Sequence, residues 1–121
     1  MNATLPDPGV IDYRAAKAAL RSFSKSLSKE LGPSGVRVNT VSPGPVETAL
    51  WLGSGGVAET IGRAQGSDPA AVKAAAVAGT PTGRFTHPAE VAQLVLLLAS
   101  ETAGNITGAD VLIDGGLVST L

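Results

Sequence analysis

The sequence contains no cysteine, which excludes disulfides and thiolate metal sites. Nor does it contain a long hydrophobic run. The longest, Leu94 to Ala99, is far too short to cross a bilayer, so no membrane span is expected. Net charge is close to zero, −1 from 9 basic and 10 acidic residues. That balance leaves no electrostatic footprint for nucleic acid or for an anionic membrane surface. Met1 to Gly9 has neither a basic n-region nor an apolar h-region, so no signal peptide is expected and a soluble, cytoplasmic protein is. Aromatics are scarce at 3%, whereas Gly (15 residues) and Ala are plentiful. Small residues let helices pack closely on a sheet, as α/β folds require.

What is present reads as alternating helices and strands over one domain, residues 1–121. Met1 to Ile11 reads as loop. Asp12 is placed to cap a helix running to Leu31, with Leu20, Phe23, Leu27 and Leu31 at helical spacing and Ala16 and Ala19 on the same face. Gly32 and Pro33 supply its stop, Gly by accepting a left-handed C-terminal conformation. Val36 to Val41 is rich in β-branched residues and reads as a strand, ended by Ser42-Pro43-Gly44-Pro45. Glu47 to Ser67 is Gly-rich and reads as a mobile segment with short helical pieces. Asp68-Pro69 opens a helix to Val77, and Pro88 opens another to Ser100. The apolar residues of the second (Val91, Leu94, Val95, Leu97, Leu98) cover most of its circumference, which predicts deep burial. Ala109 to Ile113 is a last short strand before Asp114-Gly115-Gly116.

Only two strands are credible, and helices separate them, which implies parallel pairing through a right-handed crossover. A two-stranded parallel sheet is a poor independent structure, because parallel sheets have several strands and both faces covered. The fold class is therefore α/β: two parallel strands plus helices, cut from a larger sheet.

Tyr13 and Lys17 stand four residues apart on the first helix and share a face. An ammonium beside a phenol favours the phenolate and draws its pKa from about 10 toward neutrality, which suits Tyr to acid/base work. The same spacing also fits an ordinary surface pair on an amphipathic helix. Several other residues have plain structural readings. His87, the only His, precedes Pro88 and reads as a helix-entry residue. Asp114 reads as a turn former and not as a metal ligand, and no metal site is expected. Ser22, Ser24, Ser26 and Ser28 read as solvated. Asn39 reads as a strand residue.

Tyr13-Arg14-Ala15-Ala16-Lys17-Ala18-Ala19-Leu20 resembles the active-site helix of the short-chain dehydrogenase/reductase family. Val36 to Gly44 resembles that family's following strand and Pro-Gly turn. Pro43-Gly44-Pro45-Val46-Glu47-Thr48 fits its Pro-Gly-x-x-x-Thr pattern. Gly83-Arg84, Pro88 to Ala92, Ile106-Thr107-Gly108 and Asp114-Gly115-Gly116 follow in the family's order. The resemblance covers nearly the whole chain. It implies a partial Rossmann-like, doubly wound fold and an NAD(P)-dependent oxidoreductase exchanging hydride with a small alcohol or carbonyl, with the choice between NAD and NADP left open.

By the resemblance, Tyr13 is the catalytic acid/base. Lys17 assists it and binds the nicotinamide ribose. Pro43, Gly44, Val46 and Thr48 are nicotinamide-side contacts, Gly44 because it lets backbone approach the ring. Glu47 to Ser67 corresponds to the substrate lid, where Leu50, Trp51 and Leu52 read either as substrate contacts or as core packing. The family's Gly-rich dinucleotide loop has no counterpart here, and no Ser stands between Met1 and Tyr13 in the place of its catalytic Ser. These departures imply a truncated chain or a misassigned start that begins after the nucleotide-binding half, inactive alone. The family also implies a homo-oligomer. The alternative is a non-catalytic family remnant that acts as an oligomerisation or interaction partner.

Overall fold

Helix α1 spans Ile11–Leu31 in the computed structural model, which describes residues 11–119. The loop expected over the first ten residues lies outside them. Asp12 stands inside the first helical turn, one residue beyond the helix start and so not at its cap, and Lys29 stands in the last turn. Both charges complement the helix dipole. The helix ends at Leu31, as expected. Gly32–Ser34 continue as a 3-10 turn, for which Pro33 is suited because its fixed φ needs no N–H. The left-handed residue is Gly35, at φ 76°, and not Gly32.

Strand β1 is Thr40–Pro43 and β2 is Asp110–Ile113, and they form a two-stranded sheet. Thr40 N–H donates to the Ala109 carbonyl at 2.9 Å and Gly44 N–H to the Ile113 carbonyl at 3.0 Å. The equal offset of the two bonds makes the pairing parallel, as the sequence predicts. The strand expected over Val36 to Val41 begins four residues late. Side chains occupy the place of the ladder there: Val38 N–H donates to Thr107 Oγ1 at 3.1 Å. Asn39 Nδ2 donates to the Ile106 carbonyl at 2.8 Å, and Asn39 Oδ1 accepts from Ala109 N–H at 3.1 Å. Asn39 thus does the work of a backbone pair just before the sheet.

Between the strands come α2 (Ala49–Leu52), α3 (Val57–Gln65), α4 (Pro69–Ala78) and α5 (Pro88–Ala99), and the 3-10 turn Glu101–Ala103 follows α5. Asp68 caps α4 as expected, its Oδ1 accepting from Ala70 N–H at 3.1 Å. Helix α5 starts at Pro88 as expected but is not deeply buried. Only Leu98 is buried on it, while Val95, Leu96 and Leu97 are 50%, 63% and 48% exposed. The apolar faces seen in the sequence exist, and the described residues leave them uncovered. Leu20 and Phe23 on α1 are exposed for the same reason.

The chain divides into two compact units, residues 1–42 with 92–112, and residues 43–91 with 113–121. In the first, Arg37 gathers the carbonyls at the end of α5. Its guanidinium donates to Leu98 O at 2.7 Å, Ser100 O at 3.1 Å and Ile106 O at 3.2 Å. Asp110, at the start of β2, accepts from Thr40 Oγ1 and Ser42 Oγ, each at 2.7 Å, and pairs with Arg21 Nε at 2.9 Å. Lys25 Nζ donates to the Gly108 carbonyl at 2.8 Å. Ser28 is buried rather than solvated, its hydroxyl satisfied by the Lys25 carbonyl at 2.7 Å. In the second unit, Asp114 forms the expected turn, its carboxylate accepting from Gly116 and Val118 N–H at 2.9 Å each.

Two stability outcomes follow from these contacts. Arg37→Ala leaves three carbonyls without their charged donor, and is expected to cost about 1.5–3 kcal/mol in urea unfolding. Burial pushes the Asp110 carboxyl up, but the Ser42 and Thr40 hydroxyls and the Arg21 charge outweigh it and hold the group below its ordinary value. A depressed folded pKa gives stability that is present above the unfolded value, about 3.9, and is lost as pH falls through the folded one. Asp110→Asn should therefore be less stable at neutral pH and show a shallower loss below about pH 4. An acid limb unchanged by the substitution in pH-dependent unfolding would rule this out.

Candidate active site

In the first unit, α1 brings Tyr13 and Lys17 together because four residues make just over one helical turn. The Lys17 ammonium lies over the Tyr13 ring, 5.3 Å from its centroid. The contact is therefore cation–π, made to the ring face and not to the hydroxyl. Tyr13 is 46% exposed. Among the described residues, neither the Tyr13 hydroxyl nor the Lys17 ammonium has a hydrogen-bond partner. A proton-carrying hydroxyl and a cation are thus held side by side on an open helix face.

The other predicted residues belong to the second unit. Pro43 is the last residue of β1, where its missing N–H removes no ladder bond that the short strand needs. Gly44 is required, but for an internal reason. A Cβ there would stand 2.8 Å from Asp114 Cα and 2.9 Å from Asp114 Cβ. The glycine lets β1 run on against the Asp114 turn, which is a packing need independent of any nicotinamide ring.

Val46 forms a parallel bridge with Thr86. Thr86 N–H donates to Pro45 O and Glu47 N–H to Thr86 O, each at 2.9 Å. This pairing turns the Val46 peptide groups to the other side. The Val46 carbonyl accepts from Thr48 N–H at 2.8 Å, and the Val46 N–H has no partner among the described residues. Thr48 precedes α2 with extended backbone, and its hydroxyl reaches only the Val46 carbonyl, at 3.5 Å. A free amide and a loosely held hydroxyl therefore lie two residues apart.

Trp51 packs its ring edge-on against Phe85 at 5.7 Å between centroids, so the core-packing reading holds for it, while Leu50 is 71% exposed. His87 enters α5 as expected. Its N–H donates to Glu90 Oε2 at 2.7 Å, and Glu90 is gripped by Arg84 through two bonds of 2.8 and 2.7 Å. The Arg84 bonds first and the His87 N–H second pull the exposed Glu90 carboxyl down to about 2, and Glu90 raises the Arg84 pKa in turn. The His87 Nδ1 also lies 2.7 Å from Glu47 Oε2. Sequence reasoning missed this pair and the Arg21–Asp110 pair, since no periodicity links residues so far apart in the chain.

Each unit by itself offers polar groups of the kind a ribose or a carboxamide can bond: Tyr13 and Lys17 a hydroxyl and an ammonium in the first, Val46 and Thr48 an amide and a hydroxyl in the second. A phosphate cradle is another matter. Gly53, Gly55 and Ala58 have the Gly-x-Gly-x-x-Ala spacing of a dinucleotide loop before α3, but helix α2 precedes them where a strand is needed. The Gly55 N–H is moreover taken by the Glu59 carboxylate at 2.8 Å, and a fixed negative charge there repels phosphate. Among the described residues, no group of His, Cys, Asp and Glu is placed to hold a metal ion, and no helix is long and apolar enough to cross a membrane.

Comparison with known proteins places the chain in a family. The family model described as enoyl-(acyl carrier protein) reductase matches residues 2–118. A 3-oxoacyl-(acyl-carrier-protein) reductase of Thermotoga maritima is 38% identical over 112 residues, covering 93% of this chain and 40% of that protein. A 2,3-dihydro-2,3-dihydroxybenzoate dehydrogenase of Escherichia coli is 38% identical over 118 residues, covering 94% of this chain and 44% of that one. Among solved structures, a short chain dehydrogenase family protein of Francisella tularensis superposes with a TM-score of 0.89 at 28% identity, over 98% of this chain and 48% of its own. L-sorbose reductase of Gluconobacter frateurii, complexed with NADPH and L-sorbose, gives 0.79 at 33% identity, over 90% of this chain and 41% of its own. The chain thus spans less than half the length of these relatives, yet it is matched by them almost from end to end: it belongs to the short-chain dehydrogenase/reductase family.

Proposed function

We propose that this chain is the catalytic, C-terminal segment of an NAD(P)-dependent oxidoreductase that interconverts an alcohol and a carbonyl compound. The observation that carries the reading is the Tyr13–Lys17 pair: an exposed hydroxyl and ammonium on one helix face, neither taken by another described residue. A merely structural pair on a surface helix has no need of the Pro43-to-Thr48 loop, with its free Val46 amide, in the same chain. A relative whose structure holds NADPH and L-sorbose supports the cofactor class without choosing between NAD and NADP for this protein.

The bound nicotinamide supplies the hydride in reduction and accepts it in oxidation. Tyr13 gives its hydroxyl proton to the carbonyl oxygen in the first direction and takes it from the substrate hydroxyl in the second. Lys17 holds the nicotinamide ribose through its ammonium and keeps positive charge beside the Tyr13 ring. The Val46 N–H and the Thr48 hydroxyl orient the carboxamide, and Pro43 and Gly44 set the path of the backbone into that loop. The segment works within a longer chain whose other half carries the phosphate-binding loop and the Ser that polarises the substrate carbonyl.

A second reading, a non-catalytic family member that packs on a partner, rests on the exposed Val95, Leu96 and Leu97 of α5. Unpaired strands and uncovered apolar faces favour association, and a homo-oligomer fits either reading.

In the complete protein, Tyr13→Phe should lower turnover by about 10²- to 10⁴-fold with cofactor affinity nearly unchanged, because Phe keeps the ring and loses only the proton. Lys17→Ala should damage both turnover and affinity. Steady-state kinetics with fluorescence titration separates these effects, and wild-type turnover in Tyr13→Phe would exclude the assigned role. The 121-residue chain alone should show no saturable micromolar binding of NADH or NADPH, since the described residues form no phosphate cradle to supply most of the affinity. Micromolar binding by this chain in a fluorescence titration would contradict that account of the site.

A further inference from the structure

We infer that Glu47 and His87 form a clasp that positions the cofactor-facing loop, with His87 acting as a positioning residue for nicotinamide binding. The inference rests on the reading above that Val46 and Thr48 contact the carboxamide. Glu47 lies between those two residues in sequence and points its carboxylate away from them, to the His87 ring nitrogen 2.7 Å away. Backbone bonds alone hold one side of the loop: Thr86 N–H to Pro45 O and Glu47 N–H to Thr86 O, both 2.9 Å. They fix the bridge at Val46 but stop at Glu47. Beyond it, the Thr48 backbone is held only by short-range bonds: its N–H donates to Val46 O at 2.8 Å, and its carbonyl accepts from Trp51 and Leu52 N–H at 3.0 and 2.9 Å. The Glu47 side chain adds a tie to a separate segment at the point where the loop leaves the bridge.

The far end of the clasp is itself fixed. His87 N–H is held by Glu90 at 2.7 Å, and Glu90 is held by Arg84 through two bonds. Arg84 also donates to the Phe85 carbonyl at 2.9 Å, and the Phe85 ring packs on Trp51 of α2. The short segment from Arg84 to His87 therefore ties three things at once: the start of α5, the cofactor-facing loop and the lid helix that carries Trp51. A hydrogen-bonded pair on the surface with both side chains about half exposed (57% for His87, 48% for Glu47) adds little to global stability. Its effect belongs to the local placement of the Val46 amide and the Thr48 hydroxyl, where small displacements are felt in binding.

The test compares His87→Ala, His87→Asn, Glu47→Gln, Glu47→Ala and the double Ala variant in the complete protein, reading NADH and NADPH dissociation constants by nicotinamide fluorescence and amide hydrogen exchange over Val46 to Thr48. His87→Ala should weaken the preferred cofactor about threefold to fivefold and raise its KM alike, with kcat and the melting temperature near wild type. Asn places an amide N–H near the position of Nδ1, so His87→Asn should recover most of the affinity, whereas a general packing defect would not be rescued. Glu47→Gln, which keeps the acceptor and the shape, should lie between wild type and Glu47→Ala. The double Ala variant should be no weaker than either single one, because the two residues act as one unit. Unchanged cofactor affinity and unchanged exchange in His87→Ala, or additive losses in the double variant, would overturn the clasp. Tyr13→Phe in the same assays separates the two claims. Loss of turnover there with no effect of His87→Ala sinks the clasp alone, and full turnover there with a weakened cofactor in His87→Ala sinks the catalytic role of Tyr13 and leaves the clasp standing.

Discussion

Thr40 N–H bonded to Ala109 O and Gly44 N–H bonded to Ile113 O bracket one short parallel pairing, and the placement of the functional residues follows from it. Parallel strands cannot be joined by a tight turn, so the chain between β1 and β2 has to make a long crossover. That crossover holds the Gly44-to-Thr48 loop and helices α2 to α5. Because β1 ends at Pro43, the loop from Gly44 to Thr48 emerges at the carboxyl end of a parallel strand. That is the end at which open α/β sheets bind their ligands. The close approach of Gly44 to Asp114 fixes the exit, since any side chain at Gly44 would collide with the turn that follows β2.

Side chains extend this pairing beyond its few backbone bonds. Asn39 and Thr107 replace ladder groups ahead of the strands, and Asp110 draws Thr40, Ser42 and Arg21 together at the start of β2. Arg21 and Lys25 continue the stripe of α1 on which Tyr13 and Lys17 lie, each four residues from the last. Both are tethered to the β2 side, Arg21 to Asp110 and Lys25 to the Gly108 carbonyl. The helix that carries Tyr13 and Lys17 is therefore tied to β2 and the residues before it by its own next two turns, and Tyr13 is left half exposed.

The sequence makes the helices and the fold class legible because their signals are local. Leu20, Phe23, Leu27 and Leu31 repeat at helical spacing, Asp68-Pro69 is a cap and first-turn pair, and Pro88 opens α5; each appears where its residues place it. The strand register was not legible, since Val36 to Asn39 have strand chemistry but pair largely through the Thr107 and Asn39 side chains, with one backbone bond from Gly108 N–H to Val38 O at 2.7 Å. The exposure of Val95 to Leu97 was not legible either, because an apolar helix face predicts a cover without saying whether the same chain supplies it. In the candidate site, Tyr13 and Lys17 could be read from one helical turn. The reason for Gly44 could not, as it lies in contact with Asp114, and the pairing of Glu47 with His87 depends on a bridge between Val46 and Thr86 that no pattern in either segment announces.

The central claim is that this segment moves the proton while the nicotinamide moves the hydride. It is tested most directly by the single-turnover rate of carbonyl reduction in the complete protein, followed by loss of nicotinamide absorbance across pH with saturating cofactor. If the Tyr13 hydroxyl delivers the proton, the wild-type rate falls at high pH through one ionisation, and the slow residual rate of Tyr13→Phe lacks that limb. The same pH profile and the same rate in both proteins would contradict the account.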